Sequence, residues 1–417
     1  MTPAARLAAA AELLDLIIAD AQAQRRPADR LIQRYFRNRR YAGAKDRRAV
    51  QAKVYAVLRA HAGLATALTN AGLPVTGRTL ALLAEPAGDP TAQVGGRYGL
   101  APLSAEERTG LDRARQTVRP QLIPAWLRPG LITGYGEDLA ALDASFRDRA
   151  PVDLRANPLK AATRTVRAGL AAQDIVAEIL PWPSGALRLG ADTPAPLEVV
   201  QAGLAEVQDA AAQWAAAQVP ARPGQTVIDL CAGAGGKSLA LAGQMADQGR
   251  LIACDVAPAK LREAERRAAR AGVTILHTQP VRPAERADQL QRLAGHGDHV
   301  VLDVPCSGSG TWRRNPDLAL RLTPKRLTAL GGTQERLLDE GAALVRPGGT
   351  LSYMTCSILA QENADQVSAF LARREDFRPE PLTDPVTGET RQWLQLLPSV
   401  HHTDGFFVCV MRHRGYA

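Results

Sequence analysis

Cysteine is scarce in this chain, and its spacing excludes more than its count does. The 417 residues hold five cysteines, at positions 231, 254, 306, 356 and 409, with no C-x-x-C pair among them. An odd, scattered set provides neither a disulfide framework nor metal-ligand spacing, so a reducing cytoplasm and no metal site are expected. His401-His402 finds no third ligand at a suitable distance along the chain. Long hydrophobic runs are also missing, and none reaches the roughly 20 residues that a membrane-spanning helix requires. Met1–Ala23 is rich in Ala and Leu, but Glu12, Asp15 and Asp20 interrupt it at helical spacing. It reads as an amphipathic helix, not as an export signal. There is no internal repeat and no low-complexity tail. Acidic residues are in deficit, 42 against 51 basic ones, which leaves a net charge of +9. That balance favours a polyanionic partner such as RNA, although an Arg-rich coding bias produces the same excess. No membrane partner is expected, and a monomer is.

The length implies two or three domains. Residues 1–118 read as helices throughout, with apolar positions such as Leu13-Leu14, Ile17-Ile18 and Val54–Leu58 at helical spacing. The basic block Arg37–Arg48 within them is either a solvated face or an RNA-facing one. Residues 83–106 carry no clear period and read as loop. Residues 119–205 form a linker of two short helices, Ile123–Leu127 and Ala140–Arg149, followed by a small α+β unit over Val152–Leu189. Residues 206–417 alternate strand and helix. Strands are expected at Thr226–Leu230, Leu251–Cys254, Val273–His277, His299–Asp303, Thr350–Thr355 and Phe406–Met411. Such alternation specifies an α/β, Rossmann-like doubly wound sheet with helices on both faces.

Two of those strands end in a cysteine. Val300–Asp303 leads into Pro305-Cys306, and Thr350–Thr355 leads into Cys356. Ligands of open parallel sheets bind outside the carboxyl ends of the strands, so two thiols delivered there face one pocket. A free Cys is more often a small buried apolar residue, but Pro, Ser, Gly and Thr flank both of these. The first strand runs into Asp229-Leu-Cys-Ala-Gly-Ala-Gly-Gly-Lys237. Glycines there allow a tight turn and close approach of backbone to ligand. Asp255, closing the next strand, is placed to accept hydrogen bonds from ribose hydroxyls. The spacing is neither that of a phosphate-binding G-x-x-x-x-G-K-[ST] loop nor that of G-x-G-x-x-G. An adenosine-containing cofactor fits, and a Rossmann oxidoreductase fits equally at this point.

Taken together, Asp229–Ser238, Asp303-Val-Pro-Cys-Ser-Gly-Ser-Gly-Thr311 and Tyr353-Met-Thr-Cys-Ser357 resemble the RNA cytosine-5 methyltransferases of the RsmB/Sun (Fmu) and NOP type. Glu206–Gln213, Leu154–Lys160 and Asp404–Val408 are similar to flanking segments of that family. The likeness spans about residues 120–417. It implies S-adenosylmethionine as methyl donor, Cys356 as nucleophile, Cys306 assisting product release, and Asp303 contacting the target base beside the cofactor. Cys231, Ala232, Gly233, Ala234, Gly235, Gly236, Lys237 and Asp255 would hold the cofactor. Arg155, Asn157 and Lys160 fall in the segment resembling an RNA-recognition element, and residues 1–118 are similar to a NusB-like domain. The family often has Ala-Pro-Gly-Gly where Ala234 precedes Gly235-Gly236, and Ala where Val304 stands. An acidic contact to the adenine is replaced by His277–Arg282, in which Gln279 is the candidate substitute.

Carbon 5 of cytosine is a poor nucleophile. A thiolate adding to carbon 6 makes an enamine whose carbon 5 attacks a methyl donor, so one hard step becomes two easier ones. Arg313 and Arg314, just after the Cys306 loop, would line an RNA channel, unless they form a surface turn closed by Pro316. Ribosomal RNA is the expected substrate. Transfer RNA, a DNA cytosine methyltransferase using Cys306 as nucleophile, and a catalytically silent RNA-binding assembly factor are the rival readings.

Overall fold

Apolar spacing in the first 85 residues builds helices with one continuous buried stripe. The computed structural model describes residues 1–85, 94–193 and 197–415, and the loop expected at 83–106 therefore lies partly outside the described residues. The chain divides into two compact units, Met1–Arg149 with Thr311–Thr323, and Ala150–Gly310 with Pro324–Ala417. In the first, helices Pro3–Gln22, Ala28–Arg37, Ala44–Asn70, Gly77–Ala84 and Ala105–Thr117 bury Leu7, Leu14, Ile17, Ile32, Val54, Leu58 and Leu80 in one core. Two capping boxes, Thr76 with Thr79 and Ser104 with Glu107, satisfy the amide groups that open two of these helices.

The break expected at residue 118 is not where the units part. Residues 119–149 continue the helical unit because Asp143, itself buried, accepts hydrogen bonds from the amides of Leu122 and Ile123 at 3.1 and 2.9 Å. Thr311–Thr323 also belongs to this unit. Its Trp312 is fully buried with its ring edge toward Phe146. The Arg321 guanidinium donates to the carbonyls of Arg25 and Arg26, and the Asp317 carboxylate accepts from the Ala28 amide.

The second unit contains two sheets. The smaller consists of β1 (Val152–Ala156), β2 (Ala177–Ile179), β3 (Ala186–Leu189) and β4 (Ala205–Val207), in the order β2-β3-β1-β4 and antiparallel throughout. It therefore extends past residue 205, where a boundary was expected. The larger sheet takes β5 (Thr226–Asp229), β6 (Arg250–Asp255), β7 (Leu276–Pro280), β8 (Gly297–Asp303), β9 (Val345–Thr355) and β10 (Phe377–Pro379). A two-stranded hairpin, β11 (Leu382–Thr383) with β12 (Thr390–Arg391), precedes β13 (Leu394–Leu396) and β14 (Phe406–His413). The order is β10-β14-β9-β8-β5-β6-β7, with β13 pairing β14. Strands β5 to β9 are mutually parallel, and β14 runs antiparallel against β9.

Successive residues of these strands feed opposite cores, as the period of two demands. Val301 and Met354 join Trp214, Leu241 and Val408 on one face, while Val300, Leu302 and Tyr353 join Leu338, Phe370 and Phe407 on the other. This is a doubly wound sheet covered on both sides. The third strand begins at Leu276, not at Val273. Gly272, at a φ of +75°, ends helix Pro258–Ala271, and the Val273 amide turns back to the Ala268 carbonyl. That closure uses up the residues that read as strand. No helix among the described residues is long and apolar enough to cross a membrane.

One buried imidazole ties the central strands together. His299 on β8 meets Thr350 Oγ1 of β9 at 2.8 Å and Gln225 Oε1 at 2.9 Å, and burial pushes its pKa down to about 4. The unfolded residue binds its proton near pH 6.5, the folded one only near 4. The neutral ring thus supports the fold above about pH 6.5, and that support fades as pH falls toward 4. The stability gap between wild type and His299→Gln should narrow by about 2–3 kcal/mol from pH 7.5 to 4.5. Denaturant unfolding at the two pH values measures this, and a gap that stays constant contradicts it.

Candidate active site

The strand order reverses between β5 and β8, and the cleft sits at the carboxyl ends of the strands that flank this point. Its volume is about 530 Å³. One wall is the turn after β5. Cys231, Ala232, Gly233, Ala234, Gly236 and Lys237 line it, while Gly235 does not. Gly235 instead has a φ of +78°, and a Cβ there would stand 2.9 Å from the Ala264 side chain, so the position requires glycine to pack on helix Pro258–Ala271. Asp255 lies in the same wall. Its carboxylate accepts from the Gly233 and Ala257 amides, each at 2.8 Å, which fixes the turn and leaves oxygen lone pairs toward the cleft.

Asp229 also borders this space; it is almost fully buried, and one carboxylate oxygen accepts from Ser238 at 2.7 Å. Burial lifts its pKa to about 7. Lys237 is buried and forms an ion pair with Asp303 at the end of β8, and its ammonium stands 4.7 Å from the Phe406 ring centroid. The turn after β5 and the end of β8 are thereby held together.

The two sequence-predicted thiols meet. Cys306 and Cys356, both free, are 3.4 Å apart at their sulfurs, and both line the cleft. Asp303 pairs in register with Met354, so β8 and β9 deliver their next residues side by side. The Gly310 amide donates to the Cys356 carbonyl at 2.9 Å. Gly310 also abuts Gly405 so closely that a Cβ would fall 2.0 Å from the Gly405 carbonyl oxygen. The contact with Cys356, and then burial, push the Cys306 thiol well above its ordinary pKa. Cys231 and Cys254 are also held as thiols by burial, Cys254 at about 12. Cys409 is buried as well.

Behind the thiols lies a carboxylate that sequence reasoning passed over. Glu362 is fully buried and accepts from the Ser307 amide, the Ser307 and Ser357 hydroxyls, and the Gln334 amide group. A lone Glu after a strand has no periodic signature, so only its place a few residues after Cys356 could have drawn attention. Arg267, Arg286, Lys260 and Arg336 also line the cleft. Arg267 bonds the Ala234 carbonyl at 2.8 Å and pairs with Glu206. Arg267 stands on helix Pro258–Ala271.

Of the five residues expected at an RNA surface, Asn157 and Arg313 are buried, Arg155 and Arg314 are half-buried, and Lys160 is exposed. Arg155 donates to the Gly236 carbonyl at 2.8 Å and to Gln208, bracing the glycine turn from β1, and burial lowers its pKa to about 10. Asn157 is buried, its amide donating to the Gly203 and Ala271 carbonyls. Lys160 is exposed but donates to the Arg270 carbonyl at 2.7 Å, near the negative end of helix Pro258–Ala271. Arg313 is buried within the helical unit, and Arg314 beside it is half-buried. Arg155 and Asn157 read as RNA-facing because they are basic and polar, and the fold uses their donors on backbone carbonyls. Gln279 is half-buried on β7 and is not part of the cleft wall. Among the described residues no group of three or more His, Cys, Asp or Glu is placed to hold a metal ion.

With this geometry in hand, the chain can be set beside known proteins. Residues 216–412 match the model of the family described as 16S rRNA methyltransferase RsmB/F. A relative from Synechocystis, named a probable ribosomal RNA small subunit methyltransferase B, is 36% identical over 72% of this chain and 69% of its own. The crystal structure of PH0851 superposes with a TM-score of 0.76 over 99% of both chains at 23% identity. A methyltransferase homolog protein from Pyrococcus horikoshii does so with a TM-score of 0.60 at 25% identity, over 69% of this chain and 94% of its own. These solved folds agree with the Rossmann-like sheet found here, and the sequence match carries the assignment further. The chain belongs to the 16S rRNA methyltransferase RsmB/F family.

Proposed function

We propose that this protein methylates carbon 5 of a cytosine in small-subunit ribosomal RNA, using S-adenosylmethionine. The observation that carries the reading is the 3.4 Å contact between Cys306 and Cys356 inside the cleft that also holds the glycine turn. The residues present suit that donor. The turn at Gly233–Gly236 offers backbone, and Asp255 offers acceptors for ribose hydroxyls. When bound, the donor supplies the methyl group to carbon 5.

The chain's own residues do the rest. Cys356 adds as a thiolate to carbon 6, and the electrons of the 5,6 double bond move to make carbon 5 nucleophilic. Asp303, oriented by Lys237, accepts a hydrogen bond from the exocyclic amine and so holds the base in place as the thiolate adds. After methylation the hydrogen on carbon 5 leaves to solvent as a proton. Its electron pair restores the double bond, and the carbon–sulfur bond breaks with its pair returning to Cys356. Cys306, kept as a neutral thiol, donates a hydrogen bond to the departing sulfur. The helical unit, similar to a NusB-like domain, is assigned to RNA binding through its Arg37–Arg48 stretch. In that unit Arg39 stacks on the Tyr35 ring at 3.7 Å.

Asp255→Ala should weaken S-adenosylmethionine binding by about 1.5–3 kcal/mol, roughly 10- to 150-fold, since charged hydrogen bonds are lost. Wild-type affinity by calorimetry would remove Asp255 from the site. Cys356→Ala should abolish methylation and any covalent adduct. Cys306→Ala should slow turnover about 10- to 100-fold, the worth of one hydrogen bond to a charged sulfur, and leave an RNA–protein complex that survives a denaturing gel. Adduct from Cys356→Ala and none from Cys306→Ala would reverse the two roles.

A further inference from the structure

We infer that Glu362 is a positioning residue, whose buried carboxylate clamps the two cysteine loops so that Cys306 stays in contact with Cys356. The inference rests on the reading that both thiols serve one reaction. Each cysteine is followed by a serine, Ser307 and Ser357, and Glu362 Oε2 accepts from both hydroxyls, at 2.5 and 2.6 Å. Oε1 accepts from the Ser307 amide at 2.8 Å and from Gln334 Nε2 at 3.1 Å. Four donors on one carboxylate with no solvent exposure is the condition under which a buried charge is tolerable. The donors come from the β8 loop, the β9 loop and helix Pro324–Leu344, so one carboxylate joins all three.

The network also fixes Glu362 from behind. Tyr353 OH donates to the Glu362 carbonyl at 2.6 Å, and Asn363 Nδ2 donates to the Ser357 carbonyl at 2.9 Å. Ser309 Oγ meets Ser357 Oγ at 2.9 Å and accepts from the Ile358 amide at 3.0 Å. The hydroxyls of both loops therefore share one acceptor. Loops that carry catalytic groups on strand ends are free to splay unless something outside the strands holds them, and a misplacement of about 1 Å costs as much as ~100-fold in rate. Glu362 is fully buried and does not line the cleft, so it acts through the cysteine loops and not on the substrate.

The test reads the thiol pair without RNA or methyl donor. Phenylarsine oxide bridges two adjacent thiols, forming two arsenic–sulfur bonds while its oxygen leaves as water with both thiol protons. Wild type should bind one equivalent and protect Cys306 and Cys356 from alkylation, as peptide mapping would show. Cys306→Ala and Cys356→Ala should not. Glu362→Ala, and independently the double variant Ser307→Ala/Ser357→Ala, should bind the arsenical at least ~10-fold more weakly. Glu362→Gln keeps most of the polar contacts and should rescue binding. In the methylation assay, both weakened variants should lose turnover and accumulate adduct as Cys306→Ala does, with KM for RNA within about twofold of wild type. If Glu362→Ala fails to fold, the double serine variant decides. Full arsenical binding by folded variants overturns the clamp, as does a wild type that binds none. Tight binding by wild type with no methylation of cytosine overturns the proposed reaction and leaves the clamp standing.

Discussion

Asp303 lies opposite Met354 in the parallel pairing of β8 with β9, and every feature of the cleft depends on that register. A slip of one residue would exchange the side chains of β8 between the two cores and carry Cys306 away from Cys356. The register is held at one end by His299 against Thr350 and at the other by the Val304 amide on the Met354 carbonyl. Both faces of the two strands are buried, so a slip would also put Val300, Val301 and Leu302 into the wrong cores and disrupt the packing of each. The thiol pair is thus a consequence of sheet packing, with the loops adding the last adjustment.

The cleft is assembled from polar groups that hold one another in place. Asp255 fixes Gly233, Arg155 braces Gly236, Arg267 holds the Ala234 carbonyl, and Lys237 joins the turn to Asp303. Each bond ends on backbone of the turn or on a neighbouring strand end. Pre-organisation of this kind reduces the reorganisation that binding and reaction demand. It also explains why so many basic residues of the second unit are not surface charges. The net charge of +9 describes the chain as a whole, whereas Arg155, Arg188 and Arg267 are used on Gln208, Asp153 and Glu206 inside the unit.

Much of this was legible in the sequence for local reasons. A strand ending in Cys, a glycine turn followed by a helix, and an acidic strand end are each written in consecutive residues. The sheet class followed from alternation, and the shared cleft followed from where parallel strands end. What stayed hidden depends on contacts distant in sequence. Glu362 binds Ser307 from 55 positions away, and nothing near Glu362 announces it. Asn157 and Arg155 look like solvent-facing polar residues until β4 and the glycine turn are folded against them. Thr311–Thr323 reads as the tail of the Cys306 loop, yet Trp312 and Arg321 anchor it among helices from the other end of the chain. Val273 was misplaced because β-branched residues next to a Gly suit a strand and a helix closure alike.

The central claim is that Cys356, and not Cys306, bonds to carbon 6 of a cytosine. RNA substrate carrying 5-fluorocytidine tests it directly, because fluorine at carbon 5 cannot leave as a proton and the adduct is trapped. After incubation with S-adenosylmethionine and digestion, mass spectrometry of the cross-linked peptide identifies the attached residue. The account predicts a nucleotide on the peptide containing Cys356, with the Cys306 peptide unmodified. A nucleotide on Cys306, or full trapping by a Cys356→Ala protein, would contradict it.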